Sequence, residues 1–273
     1  MLFRQTGRRE GMLHWSVEPA GHRIMGDRET KESLRHFTAM SRMAGAVAHD
    51  FNNILTGMLG NLELLERRAG KLGIPDFADY LKGARSAAHR GVDLTQRLLA
   101  VSGHQNLDPS EFLTSAAIDD MADLLRATLG EEIRLEIVHL DGLWPVFADQ
   151  AQFEESVLSL ARNAREAMPE GGILRIEDGI ATLSAEAVTG LGIEAGDFVA
   201  VTVRDSGTGM TAEVAARAFE PFFGTKNSGG GGLGLAAVMG FMRQSGGHAR
   251  IDSHGPGETA VTLLLPRSSV TSR

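Results

Sequence analysis

A helical hairpin followed by a mixed α/β domain is the architecture this chain predicts, on three features. Apolar residues recur in alternating steps of four and three at Met40, Ala44, Val47, Phe51, Ile54 and Met58, and Leu65 continues the series. This is the period of a coiled-coil or helix-bundle seam. A second seam runs through Phe77, Leu81, Ala84, Ala88, Gly91, Thr95 and Leu98, after a break at Gly70, Gly73 and Pro75. Beyond Gly103 and Asp108-Pro109 the helical period gives way to strand-like alternation, clearest in Ile133–Val138.

Residues 1–31 hold no sustained period and read as a poorly ordered leader, too short for a separate sensory domain. Residues 32–104 form the hairpin, with Asp76 placed to cap its second helix. One hairpin cannot shelter two apolar faces, so two chains are expected to associate into a four-helix bundle. The α/β domain covers residues 108–267 and leaves 268–273 as a tail. Within it Asp149 and Gln152 have capping-box spacing and open a helix through Met168, which Pro169-Glu170-Gly171-Gly172 ends. Strands are expected at 173–176, 198–203, 249–251 and 260–265. A further helix, 234–244, stops at Gly246-Gly247.

Composition narrows the function classes. Of 273 residues, 42% are hydrophobic and 23% charged, ordinary for a globular chain. With 27 Lys and Arg against 35 Asp and Glu the net charge is −8, which disfavours nucleic acid as the main partner. Cys is absent, excluding disulfides, thiolate metal sites and a cysteine nucleophile. No apolar run approaches the ~20 residues of a membrane helix, and the first residues hold no signal-peptide core. A cytoplasmic protein without membrane insertion is expected. Gly is 33 of 273 and clusters at Gly229–Gly232 and Gly234, as in backbone that must approach a ligand.

His49 falls at heptad position f when Ala44 is a and Val47 is d, the point farthest from the seam. Alone it would read as a surface histidine. Asp50 follows directly, and Asn53 lies one helical turn on, on the same face. A carboxylate that keeps one ring nitrogen protonated leaves the other lone pair to accept a phosphoryl group. The stretch from Ala44 to Leu55, AGAVAHDFNNIL, resembles the H-box of bacterial sensor histidine kinases whose box reads HDFNN.

Three more stretches follow in the order such kinases have them. Asn163-Ala164-Arg165-Glu166-Ala167-Met168 resembles the N-box of the GHKL superfamily, shared with DNA gyrase, the Hsp90 chaperones and MutL. The resemblance implies that Asn163 holds Mg²⁺ on the nucleotide phosphates, which suits a carboxamide oxygen, and puts Arg165 in the cofactor-binding set. Asp205-Ser206-Gly207-Thr208-Gly209-Met210 resembles the G1 box, implying that Asp205 accepts a hydrogen bond from the adenine amine. Gly207 and Gly209 would let the backbone approach the base. Phe219 to Lys226, FEPFFGTK, resembles the F-box, and Gly230-x-Gly232-x-Gly234 the G2 box. Backbone N–H groups at the start of a helix make an anion site there. Thr225, Lys226 and Leu233 join the same phosphate-binding set, Lys226 adding a charge.

Over residues 32–267 the resemblance implies a dimerisation hairpin followed by a two-layer α/β sandwich that binds ATP and Mg²⁺. It implies a homodimer in which His49 attacks the γ-phosphate with Asp50 orienting the ring, then passes the phosphoryl group to an Asp of a response regulator receiver domain. It also implies a reverse activity, with Asn53 positioning water. Three departures stand out. Ser159 occupies the place, four residues before Asn163, where kinases usually carry Asn and gyrase, Hsp90 and MutL carry Glu. A water-splitting ATPase is therefore disfavoured, and an alternative is a phosphotransfer or scaffold protein with a decayed ATP site. Gly231 stands where the lid usually has Thr. No sensor domain is expected before the H-box, so a signal would enter through a partner or the leader.

Overall fold

The computed structural model describes residues 2–9, 12–18, 55–63, 65, 67, 81–85, 88, 91, 106–224, 232–253 and 257–269. The chain divides into two compact units, Met25–Gln105, and Met1–Ile24 together with Asn106–Arg273.

In the first unit, residues 55–63 and 81–85 are helical. Leu81 and Ala88 of the second seam are buried. On the first helix the described members of the expected seam are open in the single chain. Met58 and Leu65 are 55% and 46% exposed, whereas Leu55, Leu59 and Leu62 are half-buried. Leu55 lies against Gly91, where an added Cβ would stand 3.0 Å from both leucine methyls. The described side chains of this helix that face inward are thus Leu55, Leu59 and Leu62, beside Met58 of the seam. Both stripes are apolar, so periodicity alone does not choose between them.

The second unit begins with a hairpin of β1 (Leu2–Arg9) and β2 (Met12–Glu18). Two strands therefore occupy the region expected to be a poorly ordered leader. Their register shifts between Gln5 and Arg8, and such an irregularity breaks the two-residue alternation by which strands are recognised. The order continues β3 (Ser110–Phe112), α1 (Thr114–Asp120), α2 (Ala122–Leu129), β4 (Ile133–Val138), β5 (Val146–Ala148), α3 (Gln150–Ala167), β6 (Gly172–Leu183) and β7 (Gly196–Asp205). It ends with α4 (Ala212–Arg217), α5 (Gly234–Gln244), β8 (His248–Ser253) and β9 (Thr259–Pro266).

Five strands form one sheet in the order β4-β6-β7-β9-β8, antiparallel except for the β4–β6 pair, while β3 pairs with β5. A parallel pair needs a crossover, and α3 lies in the one joining β4 to β6. Alternation along β7 sends Val199, Val201 and Val203 into the main core with Ile118, Leu125, Phe153, Val157 and Phe241 of the helices. Phe198 and Ala200 point the other way and join a smaller cluster with Ala181, Leu183 and Val188. The result is a two-layer α/β sandwich with helices on one face of the sheet. Each fully buried Phe or Leu contributes about 1.5–3 kcal/mol, so the helical layer is held chiefly by this apolar contact.

Helix α3 starts where its capping box predicts: Asp149 Oδ1 accepts the Gln152 N–H at 3.0 Å. Oδ2 of the same carboxylate accepts the Asp108 N–H at 2.9 Å. Strand β6 runs seven residues past its expected end at Ile176. Asp178-Gly179 has the composition of a turn, but Asp178 is buried and its carboxylate accepts the Leu140 N–H at 2.8 Å, so the strand continues. Among the described residues, no helix is long and apolar enough to cross a membrane.

Candidate functional site

One edge of α3 organises the candidate site. Ser159, Asn163 and Ala167 are spaced by four residues, so they line one face of the helix over about 12 Å. Two glycines from distant elements close on that line. A Cβ on Gly234, the first residue of α5, would stand 3.0 Å from Ser159 Oγ, 3.8 Å from Asn163 Oδ1 and 3.9 Å from Asn163 Nδ2. A Cβ on Gly207 would stand 2.7 Å from the Ala167 carbonyl oxygen and 2.8 Å from Ala167 Cβ, closer than real contacts allow. The glycines expected to admit a ligand also let these elements reach α3.

At the Gly207 end, Asp205 closes β7 with only 8% of its surface exposed. Its Oδ1 accepts the Gly207 N–H at 2.9 Å. Burial raises its carboxyl above the usual 3.8, against the lowering effect of backbone N–H bonds from Gly207 and Thr259. The following turn is fastened on several sides. Thr208 N–H donates to the Ala167 carbonyl at 3.1 Å and Ser206 N–H to the Ile173 carbonyl at 3.1 Å. Ser206 Oγ accepts the Ile173 N–H at 3.0 Å, and Met210 N–H donates to Ser253 Oγ at 2.8 Å. Gly209 takes a left-handed backbone, φ +69°.

At the Gly234 end, the N-terminus of the eleven-residue α5 faces Ser159 and Asn163, which brings backbone N–H groups beside two side-chain oxygens. Just before it, Gly232 has φ +65°, and its carbonyl accepts the Phe222 N–H at 3.0 Å. A Cβ on Gly232 would meet the Phe222 and Phe223 backbone at 2.7–2.9 Å. Phe222 is the one described non-glycine residue with positive φ, +63°, and is 60% exposed. The Arg217 guanidinium lies 4.3 Å from the Phe223 ring centre, and its Nε donates to Glu220 Oε2 at 3.0 Å.

Asn163 and Gly234 thus adjoin at one end of this face of α3 and Gly207 meets Ala167 at the other; Asp205 and Gly209 belong to the turn at the second end and Gly232 to the approach at the first. Leu233, the residue before α5, has its side chain wholly buried. Arg165 lies apart from this face of α3. Two residues from Asn163 it points to another side of α3, where its Nη1 donates to the Thr128 carbonyl at 2.7 Å and ties down the end of α2. His49, Asp50, Asn53, Thr225, Lys226, Gly230 and Gly231 lie outside the described residues. Among the described residues, no group of three or more His, Asp or Glu is placed to hold a metal ion. Ser159, singled out in the sequence for the place it takes four residues before Asn163, is the side chain nearest Gly234. Sequence reading missed a bridge of Asp119, His139 and Asp178, whose members are too far apart in the chain to form a motif.

Two family models match the chain. Residues 148–269 match the histidine kinase-, DNA gyrase B-, and HSP90-like ATPase, and residues 39–106 the His Kinase A (phospho-acceptor) domain. The sensor kinase CckA of Brucella abortus (strain 2308) is 39% identical over 84% of this chain, which spans 24% of that protein. The sensory histidine kinase/phosphatase NtrB of Azospirillum brasilense is 27% identical over 91% of the chain, which spans 63% of it. The crystal structure of full-length ShkA in complex with AMPPNP matches with a TM-score of 0.62 at 20% identity, over 85% of this chain and 47% of that one, a likeness of fold. The chain is thus shorter than two thirds of these relatives.

Proposed function

Because the chain belongs to the bacterial two-component sensor histidine kinases, we propose that it transfers the γ-phosphoryl group of Mg-ATP to its own His49 and then to an Asp of a response regulator receiver domain. The observation that carries this reading is the single face of α3 on which Gly207 and Gly234 converge. The residues present fit the nucleotide. Buried Asp205 offers a carboxylate to the adenine amine, beside a backbone kept close by Gly207 and Gly209. Asn163 and the start of α5 offer an amide oxygen and N–H groups to the metal and phosphates. Thr225, Lys226, Gly230, Gly232, Leu233 and Gly234 complete the phosphate cradle. Bound Mg²⁺ supplies charge neutralisation on the phosphates, with Asn163 as its protein ligand.

His49 acts as the nucleophile. Its imidazole lone pair forms the N–P bond as the bond from the γ-phosphorus to the bridging oxygen breaks and ADP leaves. Asp50 orients the ring and assists removal of its proton. Such a reaction depends on positioning and charge neutralisation more than on covalent help from the protein. The receiver's carboxylate then takes the phosphoryl group. Asn53 orients water for the reverse, dephosphorylating activity, a reading that the name of NtrB supports. Two chains pair through the open stripe of Met58 and Leu65. The compartment is the cytoplasm, where ATP is supplied. The comparisons name kinases and give the decayed-site alternative no support.

Incubation with γ-labelled ATP tests the proposal. The wild type is expected to take up acid-labile, alkali-stable label, and His49→Ala to take up none while binding ATP normally. Label persisting in His49→Ala would move the phosphoacceptor. Asn163→Ala is expected to lose nucleotide affinity by calorimetry while keeping the oligomeric state by light scattering; unchanged affinity would refute the site.

A further inference from the structure

Outside the nucleotide cleft, one imidazole is held between two carboxylates. His139 follows β4, and its Nδ1 lies 2.5 Å from Asp178 Oδ2 on β6. Its Nε2 lies 3.2 Å from Asp119 Oδ1 near the end of α1. The Asp178 side chain is fully buried and the Asp119 side chain 66% exposed. An ionised carboxylate accepts and does not donate, so with both Asp side chains ionised the two contacts are hydrogen bonds only when both ring nitrogens carry protons; burial raises the Asp178 carboxyl above the usual 3.8, opposed by its bonds to the Leu140 N–H and to His139. The bridge therefore calls for an imidazolium. Once neutral, the ring can keep its Nδ1 proton toward buried Asp178, which also accepts the Leu140 N–H. Nε2 would then turn a lone pair toward Asp119.

We propose that the Asp119–His139–Asp178 bridge is a pH-dependent clamp, which fastens α1 to β6 while His139 is protonated and releases Asp119 when Nε2 loses its proton. Among the described residues, the charged groups facing the ring are Asp119 from α1 and Asp178 from β6, both acidic. Burial lowers the His139 value, but the hydrogen bonds and charges of Asp178 and Asp119 outweigh it and raise the ring above its ordinary 6.5. The sign follows. A histidine raised in the folded state contributes stability that is whole below 6.5 and is lost as pH rises through the raised value. Release acts on α1, the first helix after the chain enters this unit at Asn106, and α1 packs Ala117 and Ile118 into the core shared with α3.

The test is an NMR titration of the His139 ring in the full chain from pH 5 to 9, beside amide exchange of residues 114–120. His248 does not confuse the reading. Burial, with the nearby charges of Arg243 and Arg250, pushes it down to about 4, below the window. The expected result is a His139 midpoint above 6.5, with α1 protection, after correction for intrinsic base catalysis, falling several-fold through that midpoint. Asp119→Asn, a substitution at an exposed side chain, is expected to lower the midpoint and to remove the pH dependence of α1 protection. A midpoint at or below 6.5, or α1 protection that does not follow the titration, would overturn the clamp. So would a midpoint unmoved by Asp119→Asn.

Discussion

The contacts at the two ends of the Ser159–Ala167 face of α3 are built by different means. At the Asp205 end, the turn after β7 is bonded to α3 at Ala167, to β6 at Ile173 and to β8 at Ser253. At the Gly234 end, the approach to α5 is held to the Phe219–Phe223 stretch by the Phe222–Gly232 backbone bond, with left-handed backbone at both residues. One end is an extension of the sheet, whereas the other is a strained crossing of two loop segments. On the proposed function, the difference teaches that base recognition would share its stability with the fold, while phosphate recognition would rest on a local latch. Substitutions at the first end should cost stability and binding together, and those at the second should separate the two.

The largest effect is expected from Gly207→Ala. The new methyl would collide with the Ala167 carbonyl and Cβ, which are backbone and near-backbone atoms that cannot swing away. Overpacking of this kind costs about 1–3 kcal/mol, visible as a fall in Tm together with loss of nucleotide affinity by calorimetry. If Tm held steady, the adenine end would not be part of the fold's framework. Next comes Asp205→Asn, which keeps an oxygen for the Gly207 N–H but presents donors where the adenine amine must donate. Hydrogen bonds to charged groups are worth about 1.5–3 kcal/mol, so affinity should fall roughly ten- to a hundredfold with little change in Tm. The same carboxyl sets a pH dependence. Because burial raises Asp205 above 3.8, wild-type affinity should weaken on acidification as pH falls through that raised value. Affinity of Asp205→Asn, lower throughout, should lack this component when both are titrated at constant ionic strength.

Smaller effects belong to the latch. Gly232→Ala adds a Cβ at φ +65° against the Phe222 and Phe223 backbone, a strain of about 1–3 kcal/mol that a loop can relieve by moving. Its expected signature is a several-fold rise in KM for ATP with Tm within a few degrees of wild type. An unaltered KM would dissociate the latch from phosphate binding. Phe222→Gly should do least to stability, relieving left-handed strain of about 1 kcal/mol while removing an exposed ring. Thermal unfolding is expected to show Tm unchanged or slightly raised, and a clear fall would show that the ring carries packing of its own.

Much of this was legible in the sequence where local rules govern. The Asp149–Gln152 spacing marked the start of α3, Gly234 and Gln244 bounded α5, and Ile133–Val138 alternated as β4 does. The boxes holding Asn163 and Gly234 stand apart in the sequence and adjoin in the fold. Legibility failed where tertiary partners decide. Strand β6 continues through Asp178-Gly179 because His139 and Leu140 satisfy a carboxylate that composition assigns to a turn. Strands β3 and β5, three residues each, are too short to show a period. Arg165 sits inside a recognisable box, yet helical geometry turns it toward Thr128.

Asp149 does two jobs with one carboxylate. One oxygen caps α3 and the other takes the N–H of Asp108, two residues beyond Asn106. The chain's entrance to this unit and the first turn of the helix bearing Ser159 and Asn163 therefore share a single fulcrum. Tension or torsion on the incoming chain would be borne by the same side chain that fixes where α3 begins. The helix that carries Asn163 is thus anchored at its start by the carboxylate that also holds the entering chain.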